Sequence, residues 1–284
     1  FDHAGNLYVG TSGMGLMVVP RDSRTLQQVD NADPTFSLST ANVNNIFEDR
    51  SQNLWVGCNK KGLYQLRHTQ GAFATWRFSK QNYVLGSSIS SIAAATGGDV
   101  LCVVQKSGIY RFAPDGRIRG KMQSPEAPTV VYKDRHNNYW LGTESALYQY
   151  DPATERSTLR LRVDGWGVSC ISDDGNGHLF ISNDGRGLCI YDIATGEKRT
   201  FSMNDQDEKN GSLVNNWIRA LYYDSRGLLW IGSVDGLGCM DPNGDNFRVL
   251  GWDIQFKGYK CYSLHEMSDG NMLIGTEAGL YTYD

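Results

Sequence analysis

The chain is predicted to be all-β, and three observations carry that reading. The first is a recurring strand–turn–strand unit. Its clearest copy, Gly227-Leu-Leu-Trp-Ile-Gly-Ser-Val-Asp-Gly-Leu237, reads as an apolar strand ending at Gly232, a tight polar turn, and a second strand from Leu237. The second is repetition: seven copies align on one apolar position, held by Tyr8, Trp55, Leu101, Trp140, Phe180, Trp230 and Leu273. The third is the period, with successive intervals of 47, 46, 39, 40, 50 and 43 residues. One such hairpin is marginal alone in water, so the copies must pack on one another. A period of ~40–50 with strands in every unit predicts a seven-bladed β-propeller of mostly four-stranded antiparallel blades.

Each blade is expected to hold strands A to D. The A strands are Val43–Asp49, Ile89–Ile92, Val130–Asp134, Val168–Asp173, Ile218–Asp224 and Cys261–Glu266. Most end in an acidic A–B turn, where a carboxylate can accept turn N–H groups and Gly or Asn can take positive φ. B strands are of the Leu54-Trp-Val-Gly57 type, and C strands of the Gly62-Leu-Tyr-Gln-Leu66 type. C–D turns such as Asp151-Pro-Ala-Thr154 and Asp241-Pro-Asn-Gly244 carry the residues of a tight reversal. The D strands Phe73–Trp76, Ser157–Leu161, Lys198–Phe201 and Phe247–Leu250 are weakly apolar, as suits an outermost strand. The first blade has hardly any A strand and the seventh no D strand, so both end blades are expected to be incomplete. Ring closure, which removes open edges, would then depend on the two ends meeting or on residues outside 1–284.

The repeat runs from end to end without a linker, so residues 1–284 are expected to form a single propeller domain. Its opening, Phe1-Asp2, looks like the tail of a strand, and the chain is taken as a fragment of a longer protein. A formal net charge of −4 gives no electrostatic case for nucleic acid. No apolar run approaches the ~18 residues of a membrane span. Most of the six cysteines occupy strand slots and are expected as free thiols, because buried Cys behaves as a small hydrophobe. No CxxC spacing suggests zinc, and Asp205-Gln-Asp207 lacks the ligand pattern of a calcium loop. No cofactor or metal is expected.

The segment from Asn210 to Ser233, Asn-Gly-Ser-Leu-Val-Asn-Asn-Trp-Ile-Arg-Ala-Leu-Tyr-Tyr-Asp-Ser-Arg-Gly-Leu-Leu-Trp-Ile-Gly-Ser, resembles the two-component regulator propeller repeat, and so does Ser39 to Leu63. The other copies are similar, with departures at Val103 and Ser182, where Gly is usual. The resemblance implies the periplasmic sensor of a hybrid two-component regulator, part of a membrane-anchored protein. Such sensors carry a second propeller, an immunoglobulin-like domain and a histidine kinase beyond this fragment. They form homodimers and respond to oligosaccharides from polysaccharide breakdown.

The residues themselves point to no reaction. His3, His136 and His178 fall in A–B turns of different blades, His68 follows a C strand, and His265 ends an A strand. Glu48-Asp49 and Asp173-Asp174 are adjacent, so their side chains diverge and cannot make a glycosidase pair. Trp55, Trp140 and Trp230 repeat inside B strands and read as core. The chain is therefore expected to be non-catalytic. The alternatives are a propeller enzyme of the streptogramin-lyase or polysaccharide-lyase type and a pure protein-interaction scaffold, and fold alone does not separate them.

Any ligand surface is expected at the B–C loops and D–A junctions, because these vary while the A–B turns repeat one formula. The candidates are Lys60, Lys61 and Lys106 from blades two and three, then Glu144, Asp184, Arg186 and Asp235. Trp166, Trp217 and Tyr259, off the repeated core position, would add flat apolar faces for sugar stacking. The lysine side would meet any acidic group of the ligand.

Overall fold

The computed structural model describes residues 1–31, 37–67, 73–76, 88–203, 213–242, 247–248 and 259–284, with the backbone alone at 73–76 and 247–248. His68, Asp205 and Asp207 lie outside these residues. The fold is all-β. Two 3-10 turns, Leu38–Thr40 and Thr96–Gly98, are the helical elements among the described residues.

The strands form seven sheets, each an antiparallel meander in chain order. The chain divides into two compact units: Phe1–Val131 with Ala153–Arg156, and Tyr132–Pro152 with Ser157–Asp284. In the first unit, sheet one is Leu7–Gly10, Leu16–Val19 and Gln27–Val29. Sheet two is Asn42–Glu48, Leu54–Asn59, Gly62–Leu66 and Phe73–Trp76. Sheet three is Ile89–Ala94, Val100–Val104, Gly108–Phe112 and Ile118–Met122. Sheet four, Pro128–Lys133, Tyr139–Thr143, Ala146–Asp151 and Arg156–Arg162, begins where the first unit ends. In the second unit, sheet five is Ile171–Asp173, His178–Asn183, Gly187–Asp192 and Lys198–Phe201. Sheet six is Ile218–Tyr223, Leu229–Ser233, Gly236–Met240 and Phe247–Arg248. Sheet seven is Cys261–Glu266, Met272–Thr276 and Gly279–Tyr283. Sheets one and seven have three strands, as their missing A and D strands imply. The outer strand Ile118–Met122 carries too little apolar character to stand out in the sequence. The A strand expected from Val168 is regular only over Ile171–Asp173.

The repeated B-strand position is core. Trp55, Trp140, Phe180 and Trp230 are at most 1 % exposed. Trp55 packs edge-on against Phe112 of the next sheet with ring centroids 5.7 Å apart. Phe180 stacks on Tyr223 at 5.5 Å. The glycine that closes the B strand has a packing reason. A Cβ on Gly57 would lie 2.6 Å from Ile89 Cγ2, and one on Gly232 would lie 2.9 Å from Cys261 Cβ. A hydrogen atom there lets the next A strand approach.

Four A strands share one irregularity. The register shifts between Val43 and Asn45, Ile89 and Ser91, Ile218 and Ala220, and Cys261 and Ser263. Asn44, Ser90, Arg219 and Tyr262 are the extra residues. A bulge of this kind re-aims a side chain. Asn44 Nδ2 donates to the Ile89 carbonyl at 3.0 Å, and Ser90 Oγ to the Thr129 carbonyl at 2.7 Å.

Candidate functional site

The A–B turns are occupied by the fold itself. An aspartate six residues before the core position organises five of them: Asp2, Asp49, Asp134, Asp174 and Asp224. Each accepts the amide four residues on, at 2.7, 2.9, 2.7, 3.0 and 2.8 Å respectively. Where the core residue is Trp, its indole N–H donates to the same carboxylate: Trp55 to Asp49 at 2.7 Å, Trp140 to Asp134 and Trp230 to Asp224 at 2.9 Å. In sheets three and seven the core residue is Leu101 or Leu273, and the turn begins with Ala95 or Met267 instead. The acid thus accompanies an aromatic and is absent beside leucine.

The histidines of these turns are engaged locally. His3 Nδ1 meets Glu48 at 2.7 Å, His136 Nε2 meets the Gly175 carbonyl at 2.7 Å, and His178 Nδ1 meets Asp174 at 2.7 Å. His265 lies edge-on to Tyr222 at 6.1 Å, and burial lowers its pKa. The adjacent acids diverge. Glu48 holds His3 while Asp49 holds Trp55, and Asp173 takes the Tyr132 hydroxyl at 2.6 Å while Asp174 takes His178. No disulfide joins any of the six cysteines. Burial pushes the Cys58 and Cys170 thiols up to about 12 and Cys189 and Cys261 up to about 11, which suppresses the thiolate. Among the described residues no group of three His, Cys, Asp or Glu could hold a metal ion. None of their helices is long and apolar enough to cross a membrane.

The B–C end of the second unit is different. Trp166 is 75 % exposed and its ring lies 6.4 Å from that of Trp217, the planes tilted by 34°. The Arg219 guanidinium lies over the Trp217 ring at 5.6 Å, and its Nη1 meets Asp184 Oδ2 at 3.1 Å. Asp184 Oδ1 accepts from Ser169 Oγ at 2.8 Å, and that hydroxyl also reaches the Ile218 carbonyl. Two backbone bonds, Trp166 N to Asp184 O at 3.1 Å and Asp184 N to Gly167 O at 2.9 Å, tie the two loops together. Gly185, at φ +77°, forms the floor: a Cβ there would meet Trp166 Cδ1 at 3.3 Å and Trp217 Cζ2 at 3.6 Å. Gly167 presses on the Glu144 turn, where a Cβ would lie 2.6 Å from Glu144 Cα. Asn215 Oδ1 accepts the Trp217 amide at 2.8 Å, while its Nδ2 reaches Asp235 at 3.4 Å.

Of the ten residues singled out in the sequence, Glu144, Trp166, Asp184, Arg186, Trp217 and Asp235 are thus gathered by the loops of sheets four, five and six. Tyr259, 37 % exposed, precedes sheet seven, where Lys260 and Glu277 pair at 3.0 Å. Lys60, Lys61 and Lys106 belong to the first unit. Lys60 and Lys106 occupy hairpin turns at φ +59°. Lys61 Nζ donates to Thr40 Oγ1 at 2.8 Å and to the Ser37 carbonyl, which ties it to the preceding connection. Arg219, Ser169 and Gly185 were not foreseen. Arg219 reads as an A-strand residue, and only the bulge turns it outward.

Two segments, residues 37–60 and 212–235, match the two component regulator propeller family. They are the same stretches that carry the repeat most clearly, and each of the two is a two-component regulator propeller repeat. No curated protein matches the chain. Among solved structures it is similar to the extracellular domain of a hybrid two component system from B. thetaiotaomicron, at 18 % identity and a TM-score of 0.64 over 99 % of this chain and 44 % of that one. The extracellular domain of a one component system from the same organism matches at 18 % identity and 0.59, with the same coverage. A virginiamycin B lyase from Staphylococcus aureus matches at 14 % identity and 0.71, over 99 % of this chain and 91 % of that one. These likenesses show the fold, a β-propeller, shared by sensors and by a lyase. The chain spans less than half the length of the two sensor domains.

Proposed function

We propose that this chain, with its two-component regulator propeller repeats, is a non-catalytic sensing module of a membrane-anchored signalling protein. It works outside the cytoplasm, in the periplasm, and it binds an oligosaccharide at the B–C end of sheets five and six. A histidine kinase elsewhere in the protein would carry the signal onward. The observation that supports the ligand class is the Trp166–Trp217 pair. A soluble fold gains nothing from leaving three quarters of an indole in water, whereas a sugar ring stacks on such a face and covers it. Glu144, Arg186 and Asp235 rim the pair with groups that can bond sugar hydroxyls. The non-catalytic reading rests on the turn histidines His3, His136 and His178, held by Glu48, the Gly175 carbonyl and Asp174 in separate turns, and on the diverging acid pairs.

The test is calorimetric titration of a panel of neutral and acidic oligosaccharides onto the whole chain and onto W166A/W217A. The expected result is saturable binding of at least one glycan that the double variant loses. Binding retained by the double variant moves the site elsewhere, to the lysine turns of the first unit, where K60E/K106E then becomes the informative variant. Turnover of any panel member, abolished by one His or Asp substitution, would replace the sensing reading with a lyase or hydrolase.

A further inference from the structure

The geometry points to Arg219 as a positioning residue, one that holds the Trp217 indole against Trp166 and so builds the aromatic surface before any ligand arrives. Its importance for recognition rests on the proposed sensing site; its structural role does not.

Four observations carry it. Arg219 is the extra residue of the A-strand bulge between Ile218 and Ala220, so the strand spends a ladder position on turning this side chain out. Its guanidinium then has two partners, the Asp184 carboxylate at 3.1 Å and the Trp217 ring at 5.6 Å. Asp184 is itself fixed: Ser169 Oγ donates to its other oxygen at 2.8 Å and its amide is bonded to Gly167. Finally, the Trp217 backbone is pinned by hydrogen bonds, and among the described residues no hydrogen bond fixes its indole. Asn215 accepts the Trp217 amide, and the Trp217 carbonyl accepts from Val234 N at 3.0 Å. The ring meets Gly185, Trp166 and Arg219. A partly exposed Trp ring has alternative staggered rotamers. A cation fixed over one face favours the rotamer that keeps that face covered, and leaves the other face and edge for Trp166 and a ligand.

Lysine is no equivalent. Its ammonium is a point charge without the planar fork that can bond a carboxylate and lie flat on a ring at once. Arg219→Lys should therefore keep part of the effect, and Arg219→Met, of similar length but uncharged, should lose it.

Two indoles 6.4 Å apart at a fixed tilt couple their excited states, giving a paired positive and negative band in the far-ultraviolet circular dichroism. That couplet reads ring placement directly and requires no ligand. Spectra of the whole chain, W166F, W217F, R219M, R219K and D184N would be compared. The expected result is a couplet in the parent that either Trp→Phe change abolishes, that R219M and D184N reduce at least twofold, and that R219K partly restores. An R219M couplet equal to the parent's overturns the proposal, as does an equal loss in R219K and R219M. The absence of a couplet in the parent also overturns it, because the rings would then not be held. Should R219M misfold, D184N decides the matter alone, since it removes the partner that fixes the guanidinium and leaves the arginine in place. A couplet that behaves as expected while no oligosaccharide binds would remove the sensing reading and leave Arg219's role standing.

Discussion

Sheets five and six use the same three residue types twice, with opposite results. At the A–B turn, Asp224 accepts from Trp230 Nε1 at 2.9 Å and pairs with Arg226 at 2.9 Å, and the Arg226 guanidinium lies over the Trp230 ring at 5.8 Å. At the B–C end, Asp184 pairs with Arg219 at 3.1 Å and Arg219 lies over Trp217 at 5.6 Å. The difference is where the indole N–H goes. In the turn it reaches the carboxylate, so the polar atom is satisfied inside the protein and the ring sinks to 1 % exposure. At the B–C end the carboxylate is taken by Ser169 and Arg219, and the ring stays at the surface beside an exposed Trp166. An aspartate that captures a tryptophan closes a turn; an aspartate that captures an arginine leaves the tryptophan available.

The largest expected effect sharpens that contrast. Trp230→Ala removes a fully buried ring and should cost about 3–5 kcal/mol, whereas Trp166→Ala should stay within about 0.5 kcal/mol. Urea denaturation of both variants measures this, and similar losses would mean that the two tryptophans do the same job. Next comes the carboxylate. Asp224→Asn weakens the bonds to Trp230, Leu228 and Arg226 and should cost about 1–3 kcal/mol in the same experiment.

The acid limb of stability offers an independent reading of that carboxylate. Burial pushes the Asp224 pKa up, but the Trp230 indole, the Leu228 amide and the Arg226 guanidinium outweigh it and hold the carboxyl below its usual range. A depressed pKa contributes stability that is present above the unfolded value of about 3.9 and is lost as pH falls through the folded value. Parent and Asp224→Asn should therefore converge in stability as pH drops below about 4. Parallel melting curves between pH 3 and 6 would show that the charge contributes nothing. The smallest effect concerns the lysine turns. Lys106 holds φ +59°, which costs a non-glycine residue about 1–2 kcal/mol. Lys106→Gly, offset by its greater unfolded-state entropy, should raise stability by no more than about 1 kcal/mol, seen as a small upward shift in melting temperature. A clear loss would mean that the lysine side chain holds the hairpin.

How far these two ends were legible follows from sequence distance. The sheet-by-sheet reading worked because each A–B–C unit is built from contacts a few residues apart, and the period repeats them. The six-residue spacing from aspartate to aromatic was there to be seen, in Asp49 and Trp55, Asp134 and Trp140, Asp224 and Trp230. It escaped because the acid was read as a turn former and the aromatic as core, and nothing in a linear reading joins them. The loss of the acid at Ala95 and Met267, before leucines, was the signal. At the B–C end Trp166, Asp184 and Trp217 stood out as departures from the repeat. Arg219 did not, because its partner is 35 residues away and its direction is set by a bulge, which has no composition of its own. The outer strand Ile118–Met122 was missed for a simpler reason: four of its five residues are exposed, so no alternation marks it.

The unequal burial of the tryptophans also gives the molecule an optical asymmetry. Of seven tryptophans, Trp55, Trp140 and Trp230 are sealed from solvent with their N–H groups on carboxylates, whereas Trp166 stands in water. An aqueous quencher such as iodide can collide with Trp166 and cannot reach those three. Trp76 and Trp252 lie outside the described side chains, so the quenchable emission that Trp166→Phe removes is the part that reports on the B–C end of the second unit. Covering Trp166 would shield that quenchable fraction while the core emission stayed constant. Occupancy at this surface can then be followed by light, against the Trp166→Phe reference and with no label added.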